Sequence, residues 1–181
     1  FLVSAAAMAE QTQRNIERIF PVVVAVLLVA VWLLFRRLWP ALLAGGISLL
    51  AVVWTLGFAI SLDREINVFV AMVPGVIMIV GFSDVVHLCS AYLLELERGV
   101  DKESAILRSA GDVGRACVFT SLTTFVGFIC LSLVPTPAFR ALGLVLGFGV
   151  AMALWLAVTL VPIAFSLAGT PRPLRRGCPL Y

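Results

Sequence analysis

The chain has 181 residues, of which 62% are hydrophobic and only 13% are charged, and its net charge at neutral pH is +3. A soluble globular chain is about 45–50% apolar and about 25% charged. This composition excludes a water-soluble domain and favours a chain whose solvent is lipid. It also gives no indication of a nucleic-acid partner, since the sequence has no basic stripe suited to one.

Five apolar runs are long enough, or nearly so, to cross a bilayer, which takes about 20 residues. Strands are excluded, because the runs lack period-two alternation and an open sheet edge is not tolerated in lipid. The sequence therefore predicts an all-α, polytopic membrane bundle of five transmembrane helices. In chain order, the runs are Ile19–Phe35, Leu38–Leu62, Ile66–Leu94, Ala116–Val134 and Ala141–Leu167.

The remaining segments are polar or mixed. We predict that Phe1–Gln13 is the end of an extramembrane, periplasmic element, that residues 14–168 are the membrane block and that residues 169–181 are a basic cytoplasmic tail or linker. Nine basic residues then face the cytoplasm and four face outward, which accounts for all 13. The positive-inside rule thus predicts an outside N-terminus and an inside C-terminus.

The segment Asp101–Gly114 is amphipathic and charged. Asp101 is suited to cap a helix, and Glu103 is suited to its first turn. We predict one cytoplasmic interfacial helix here, between the third and fourth spans. An ordinary charged loop is the alternative.

The third span carries an acidic residue, Asp84, about 5 Å from the middle of its apolar interval at 1.5 Å rise per residue. An Asp at that depth costs about 2.5–3.5 kcal/mol on insertion scales, so it should face protein or water. His87, one helical turn further on, shares its face. A carboxyl group held between desolvation and nearby donors can load and unload a proton. The alternative is an Asp–His pair that only fixes helix packing.

Hydroxyl groups and glycines complete the candidate site. Ser83 lies beside Asp84, and Thr120, Thr123 and Thr124 share a face of the fourth span. There they could hydrogen-bond Asp84, carry a water chain, join helices or bond carbonyls of their own helix. We predict that helix packing depends on Gly81, Gly127, Gly143 and Gly147, the last two forming a GxxxG motif. Pro74, followed by Gly75, is expected to kink the third span.

Signatures of enzymes are missing from the sequence. It has no phosphate-binding loop, no HExxH and no GxSxG, and Asp84 has no second intramembrane Asp with which to form an aspartyl dyad. The four cysteines lack the spacing of a metal or thiol motif. We therefore expect no catalytic activity, no metal and no cofactor other than protons as the coupling ion.

The chain resembles the resistance–nodulation–division (RND) superfamily, and within it the MMPL-like group of hydrophobe and amphiphile exporters, whose five-helix block is shared with sterol-sensing domains. The resemblance covers about residues 14–168. It is carried by a set of short stretches: Gly81–Leu88, Tyr92, Glu95–Gly99, Ala105, Gly114–Ala116, Thr120–Phe128, Phe139–Gly143 and Leu160–Pro162.

This resemblance implies helices two to six of one half of an exporter, with the N-terminal half favoured, in the inner membrane of a bacterium. Asp84 matches the proton-relay carboxylate of the family, and His87 matches a frequent family position. The implied function is efflux of lipid-like molecules by proton antiport. The implied partners are the lipid bilayer, the substrate, the periplasmic domains, a second half and further copies in an oligomer. A sterol-sensing-like regulatory domain and an accessory of protein export remain alternatives.

Overall fold

A computed structural model describes residues 21–33, 35, 38–62 and 72–167. The described residues form helices and turns and contain no strand, which confirms the all-α prediction. Four helices are long and apolar enough to cross a membrane, and the described part of the first is shorter. The helices are α1 (Pro21–Leu33), α2 (Leu38–Leu62), α3 (Val73–Glu97), α4 (Lys102–Leu131) and α5 (Pro137–Leu167).

Helices α3 and α5 form the centre of the bundle, since each contacts α2, α4 and the other. Helices α2 and α4 flank this pair. The core is built mainly from aliphatic side chains of α2, α3 and α5, whereas only five residues of α4 are buried. A polar side chain on α3 that points into the bundle is therefore shielded from lipid.

Small residues let α5 approach α4 closely. A Cβ atom on Gly143 would lie 2.6 Å from the carbonyl oxygen of Phe128 and 2.7 Å from the backbone nitrogen of Ser132. A Cβ atom on Gly147 would lie 2.9 Å from a side-chain carbon of Ile129. The predicted packing role of both glycines thus corresponds to real contacts with α4.

Two other glycines lie where α2, α3 and α5 meet. A Cβ atom on Gly81 would lie 3.2 Å from the Ser48 hydroxyl and 3.5 Å from Ala153. A Cβ atom on Gly149, which was not among the predicted packing glycines, would lie 2.8 Å from the Thr55 side chain. The three helices can cross closely at these positions because the glycines have no side chain.

Gly99 ends α3 and turns the chain towards α4. Its φ of +82° is left-handed, a conformation that suits glycine. The Gly99 N–H donates to the carbonyl of Leu96 at 3.1 Å, and the Val100 N–H donates to that of Glu95 at 3.2 Å. These two bonds form a Schellman motif, which satisfies the last carbonyls of the helix.

Asp101 caps α4, as predicted, because its carboxylate accepts a 3.0 Å hydrogen bond from the Ser104 N–H. Glu103 lies in the first turn.

The predicted interfacial helix needs a correction. The amphipathic segment is helical, but it continues without a break into the fourth span as the 30-residue helix α4. No proline or left-handed glycine interrupts the helix at Gly114 and Arg115, so nothing there ends it.

The expected kink at Pro74 is also corrected. Helix α3 begins at Val73, so Pro74 lies in the first turn, where a missing N–H costs no hydrogen bond. Several predictions lie outside the described residues. They concern the extramembrane element (residues 1–13), the tail (169–181), and the connections at residues 36–37 and 63–65.

Candidate functional site

Asp84 lies in the middle of α3 and is 6% exposed, although it is an acidic residue in an apolar helix. The Ser121 hydroxyl of α4 donates a 3.2 Å hydrogen bond to Asp84 Oδ2. The Cys117 thiol, one turn earlier on α4, lies beside the same carboxyl group. The carboxyl group therefore faces the α3–α4 interface and not the outer surface of the chain.

The buried stripe of α4 consists of small residues, and this composition brings α4 close to Asp84. Small side chains let two membrane helices approach, and hydroxyl or thiol groups among them can bond across the gap. The stripe starts in the charged third of the helix and reaches its middle. Its members are Ala105, Ser109, Gly114, Cys117 and Ser121.

His87 is one turn from Asp84 and interacts with its carboxyl group electrostatically, but its side chain lies on the exposed surface of the chain. Ser83 is exposed as well. The structure therefore separates the predicted relay pair into a buried carboxyl group and a surface imidazole.

The three threonines do not support Asp84, and this corrects our prediction. The Thr120 hydroxyl donates to the carbonyl of Cys117 at 3.0 Å, and the Thr123 and Thr124 hydroxyls each donate to that of Thr120 at 2.8 Å. Bonding to carbonyls of their own helix is the alternative that the sequence leaves open for these hydroxyls. Ser121, in the same run, supplies the donor instead.

Gly127 also differs from its predicted role. It is exposed, and a Cβ atom added there would meet nothing within 4 Å. It shares an exposed face of α4 with Thr120 and Thr123, while the contact with α5 is made near Phe128 and Ile129. Gly127 therefore contacts no other helix in the described part of the chain.

A metal site is not formed by the described residues, among which no three His, Cys, Asp or Glu side chains come together to hold an ion. Cys89 and Cys117 are buried free thiols, and Cys130 is an exposed one. What the arrangement at Asp84 can do is accept hydrogen bonds as a carboxylate or donate one as an acid.

These observations define a multi-pass membrane helix bundle with a buried carboxyl group between two of its spans. The sequence pattern of the MMPL family matches residues 3–177, and the chain belongs to this family.

Two curated membrane proteins are similar in sequence to this chain. The protein MJ1562 of Methanocaldococcus jannaschii is 32% identical over 114 residues, which cover 63% of this chain and 29% of that protein. Membrane protein YdfJ of Bacillus subtilis is 30% identical over 136 residues, which cover 71% of this chain and 19% of YdfJ. The chain thus spans less than a third of either relative. No solved structure matches it significantly.

Proposed function

We propose that this chain is the transmembrane part of an RND-type exporter of hydrophobic or amphiphilic molecules such as lipids, driven by the proton-motive force. Asp84 loads and releases the coupling proton. The observation that carries this proposal is the burial of Asp84 at the middle of α3 with the Ser121 hydroxyl bonded to it. Such a group in a membrane span is rare and marks an ion pathway by default.

Protonation changes what Asp84 can do at the α3–α4 interface. The carboxylate only accepts hydrogen bonds, which suits the donors on Ser121 and Cys117. The neutral acid carries a donor of its own and no charge, so the same contacts become weaker. Because α3 also packs against α2 and α5, a shift of α3 relative to α4 would reach the whole bundle.

Polar side chains on the outer surface of the spans suggest what surrounds the chain. Ser83 and His87 on α3 are exposed, as are Thr120 and Thr123 on α4. An imidazole in contact with acyl chains is costly. We propose that the second half of the complete protein covers this face, while periplasmic domains carry the substrate and the assembly is an oligomer.

The proposal also implies a membrane location and a coupling ion for the complete protein. The protein would lie in the inner membrane of a bacterium with this chain's N-terminus outside and its C-terminus inside, following the distribution of basic residues. It would be a transporter and not an enzyme, with protons as the coupling ion and no metal or organic cofactor.

Transport by the complete protein with Asp84→Asn tests the proposal. Asn is nearly isosteric with Asp but cannot exchange a proton, so proton-coupled efflux of a fluorescent amphiphile should be lost. Thr159→Val, which changes a hydroxyl of α5 bonded to its own helix, is the control and should transport normally. Undiminished efflux by Asp84→Asn would contradict the proposal.

A lipid-binding, sterol-sensing-like role is the second candidate, and a groove between α2 and α5 favours it. The groove has a volume of about 410 Å³ and is lined by Trp54, Gly57, Phe58 and Phe148 among others. Phe58 and Phe148 stack at 4.1 Å between ring centroids. A Cβ atom on Gly57 would meet nothing within 4 Å, so the missing side chain leaves space for an acyl chain or a sterol ring.

Filling this groove separates the two candidates. Gly57→Leu should reduce labelling by a photoactivatable sterol or fatty-acid probe, and Asp84→Asn should leave the labelling unchanged. If Gly57→Leu abolishes the cellular function while Asp84→Asn keeps it, the lipid-binding role is favoured over the pump. If Gly57→Leu labels like the parent, the groove does not bind these ligands.

A further inference from the structure

A cavity of about 210 Å³ lies at the cytoplasmic end of the α3–α4 interface in the predicted orientation. Its lining includes Glu95 and Arg98 from the end of α3, and Arg108 and Asp112 from the first third of α4. A cavity of this size, with four charged side chains in its lining, has room for several water molecules. Water can therefore reach the α3–α4 interface from this end.

The charges in the cavity are unevenly paired. Glu95 lies 2.6 Å from Arg98 and 3.6 Å from Arg108, so one carboxylate meets two guanidinium groups. Asp112 makes no ion pair with a described residue. Helix α2 has no charged residue, and Arg140, the one charged residue of α5, lies at the opposite end of the bundle. The cavity thus contains two carboxylates, one of them held by two cations and the other open to water.

This cavity lies on the same interface as Asp84. Glu95 follows Asp84 by 11 residues on α3, which is about 16 Å along a helix. The buried residues of α3 between them are Val85, Leu88, Cys89 and Tyr92, of which Leu88 lies one turn after Asp84. On α4, Gly114 and Cys117 are buried over the same stretch. A Cβ atom added to Gly114 would meet nothing within 4 Å, so the interface leaves space beside this glycine.

We propose that this cavity is the cytoplasmic vestibule through which Asp84 exchanges its proton, with Glu95 and Asp112 as the carboxylates that receive it. The proposal rests on the proposed function, since it requires that Asp84 is the coupling group. It adds the route and the residues at its cytoplasmic mouth.

The transfer is a simple movement of one proton. The O–H bond of protonated Asp84 breaks, and its electron pair stays on the carboxylate, which regains the full strength of the hydrogen bond from Ser121. Water carries the proton past Leu88 and Gly114 to a carboxylate of the vestibule, where a new O–H bond forms. That acid then releases the proton to cytoplasmic water, so nothing is oxidised or reduced.

Proton flux through the complete protein in liposomes tests the route. An imposed pH gradient is followed with a pH-sensitive dye, and flux should fall several-fold when Glu95→Gln and Asp112→Asn are combined. The conservative pair Glu95→Asp and Asp112→Glu keeps both carboxylates and should retain flux. The matched control is Glu97→Gln with Glu103→Gln, which removes two exposed carboxylates outside the cavity lining and should have no effect.

The outcomes separate this proposal from the proposed function. If Asp84→Asn stops the flux and the Glu95→Gln, Asp112→Asn pair does not slow it, the vestibule is wrong and the pump stands. If Asp84→Asn leaves the flux unchanged, the proposed function itself fails. Should the Gln–Asn pair fold poorly, labelling decides instead: Ala91→Cys, whose position lines the cavity, should react with a charged thiol reagent from the cytoplasmic side faster than the parent protein does. If Ala91→Cys reacts no faster than the parent protein, the vestibule proposal is overturned.

Discussion

The Ser121 hydroxyl bonds the Asp84 carboxyl group at 3.2 Å across the α3–α4 interface, although the two residues are 37 positions apart in the sequence. This contact places the buried acidic residue of α3 against a donor on a different helix. Whatever changes the charge of Asp84 must therefore change the attraction between α3 and α4.

A double-mutant cycle measures this attraction. Hydrogen bonds between membrane helices average about 0.6 kcal/mol and reach about 1.7 kcal/mol. A charged acceptor strengthens them. We expect Ser121→Ala and Asp84→Ala to show a coupling of about 1–2 kcal/mol in the free energy of unfolding, measured by titration with a denaturing detergent.

The control cycle pairs Asp84→Ala with Thr123→Ala. The Thr123 hydroxyl bonds the Thr120 carbonyl of its own helix, so the two changes should be additive. Equal coupling in both cycles would mean that the Ser121 contact has no special energetic role.

Close packing of α5 on α4 predicts a large difference between two Gly→Ala substitutions. In Gly143→Ala, the new methyl group collides with backbone atoms of Phe128 and Ser132, which cannot move without shifting the helix. We expect a loss of about 1–3 kcal/mol in unfolding free energy, the usual cost of overpacking. Gly127→Ala meets open space and should change it by no more than about 0.5 kcal/mol. Similar losses for both variants would contradict the observed α4–α5 contact.

The start of α4 should be sensitive to acid through Asp101. Hydrogen bonds from the Ser104 N–H and side chain hold the pKa of Asp101 below its ordinary value. A carboxyl group whose pKa is lowered by folding stabilises the fold above its unfolded-state pKa, and this contribution disappears as the pH falls through the lowered value.

We therefore expect Asp101→Ala to be less stable than the parent at neutral pH and to approach it in strong acid. Thermal unfolding at a series of pH values checks this. Asp101→Asn, which keeps a capping oxygen but does not titrate, should keep most of the stability across the series. A stability difference between parent and Asp101→Ala that is independent of pH would show that the cap does not depend on the ionised carboxylate.

The sequence could predict one part of this site, the burial of Asp84, but not which residues of α4 contact it. The depth of Asp84 in an apolar run was enough to predict that it faces protein. The threonines could not predict which face of α4 turns towards α3, because the C-terminal part of this helix is apolar on several faces. Thr120 and Ser121 are neighbours in the sequence but differ by 100° around the helix axis. The small residues Cys117 and Ser121, in line with Ser109 and Ala105, were the signal that could have identified the buried face.

Helix ends were the other source of error. Pro74 was expected to kink a long span, but it lies in the first turn of α3. The charged segment after Asp101 was expected to lie apart, but helix propagation carries it into the fourth span, because each added residue gains one backbone hydrogen bond. Composition predicts which residues are helical here, and local backbone rules decide where each helix begins.

Infrared difference spectroscopy of the complete protein, recorded while the pH is changed, tests the central claim most directly. If Asp84 gains and loses a proton inside the bundle, a carboxylic-acid C=O band should appear and disappear with pH, be absent in Asp84→Asn, and shift in frequency in Ser121→Ala. A spectrum in which Asp84→Asn removes no titrating carboxyl band would contradict the account.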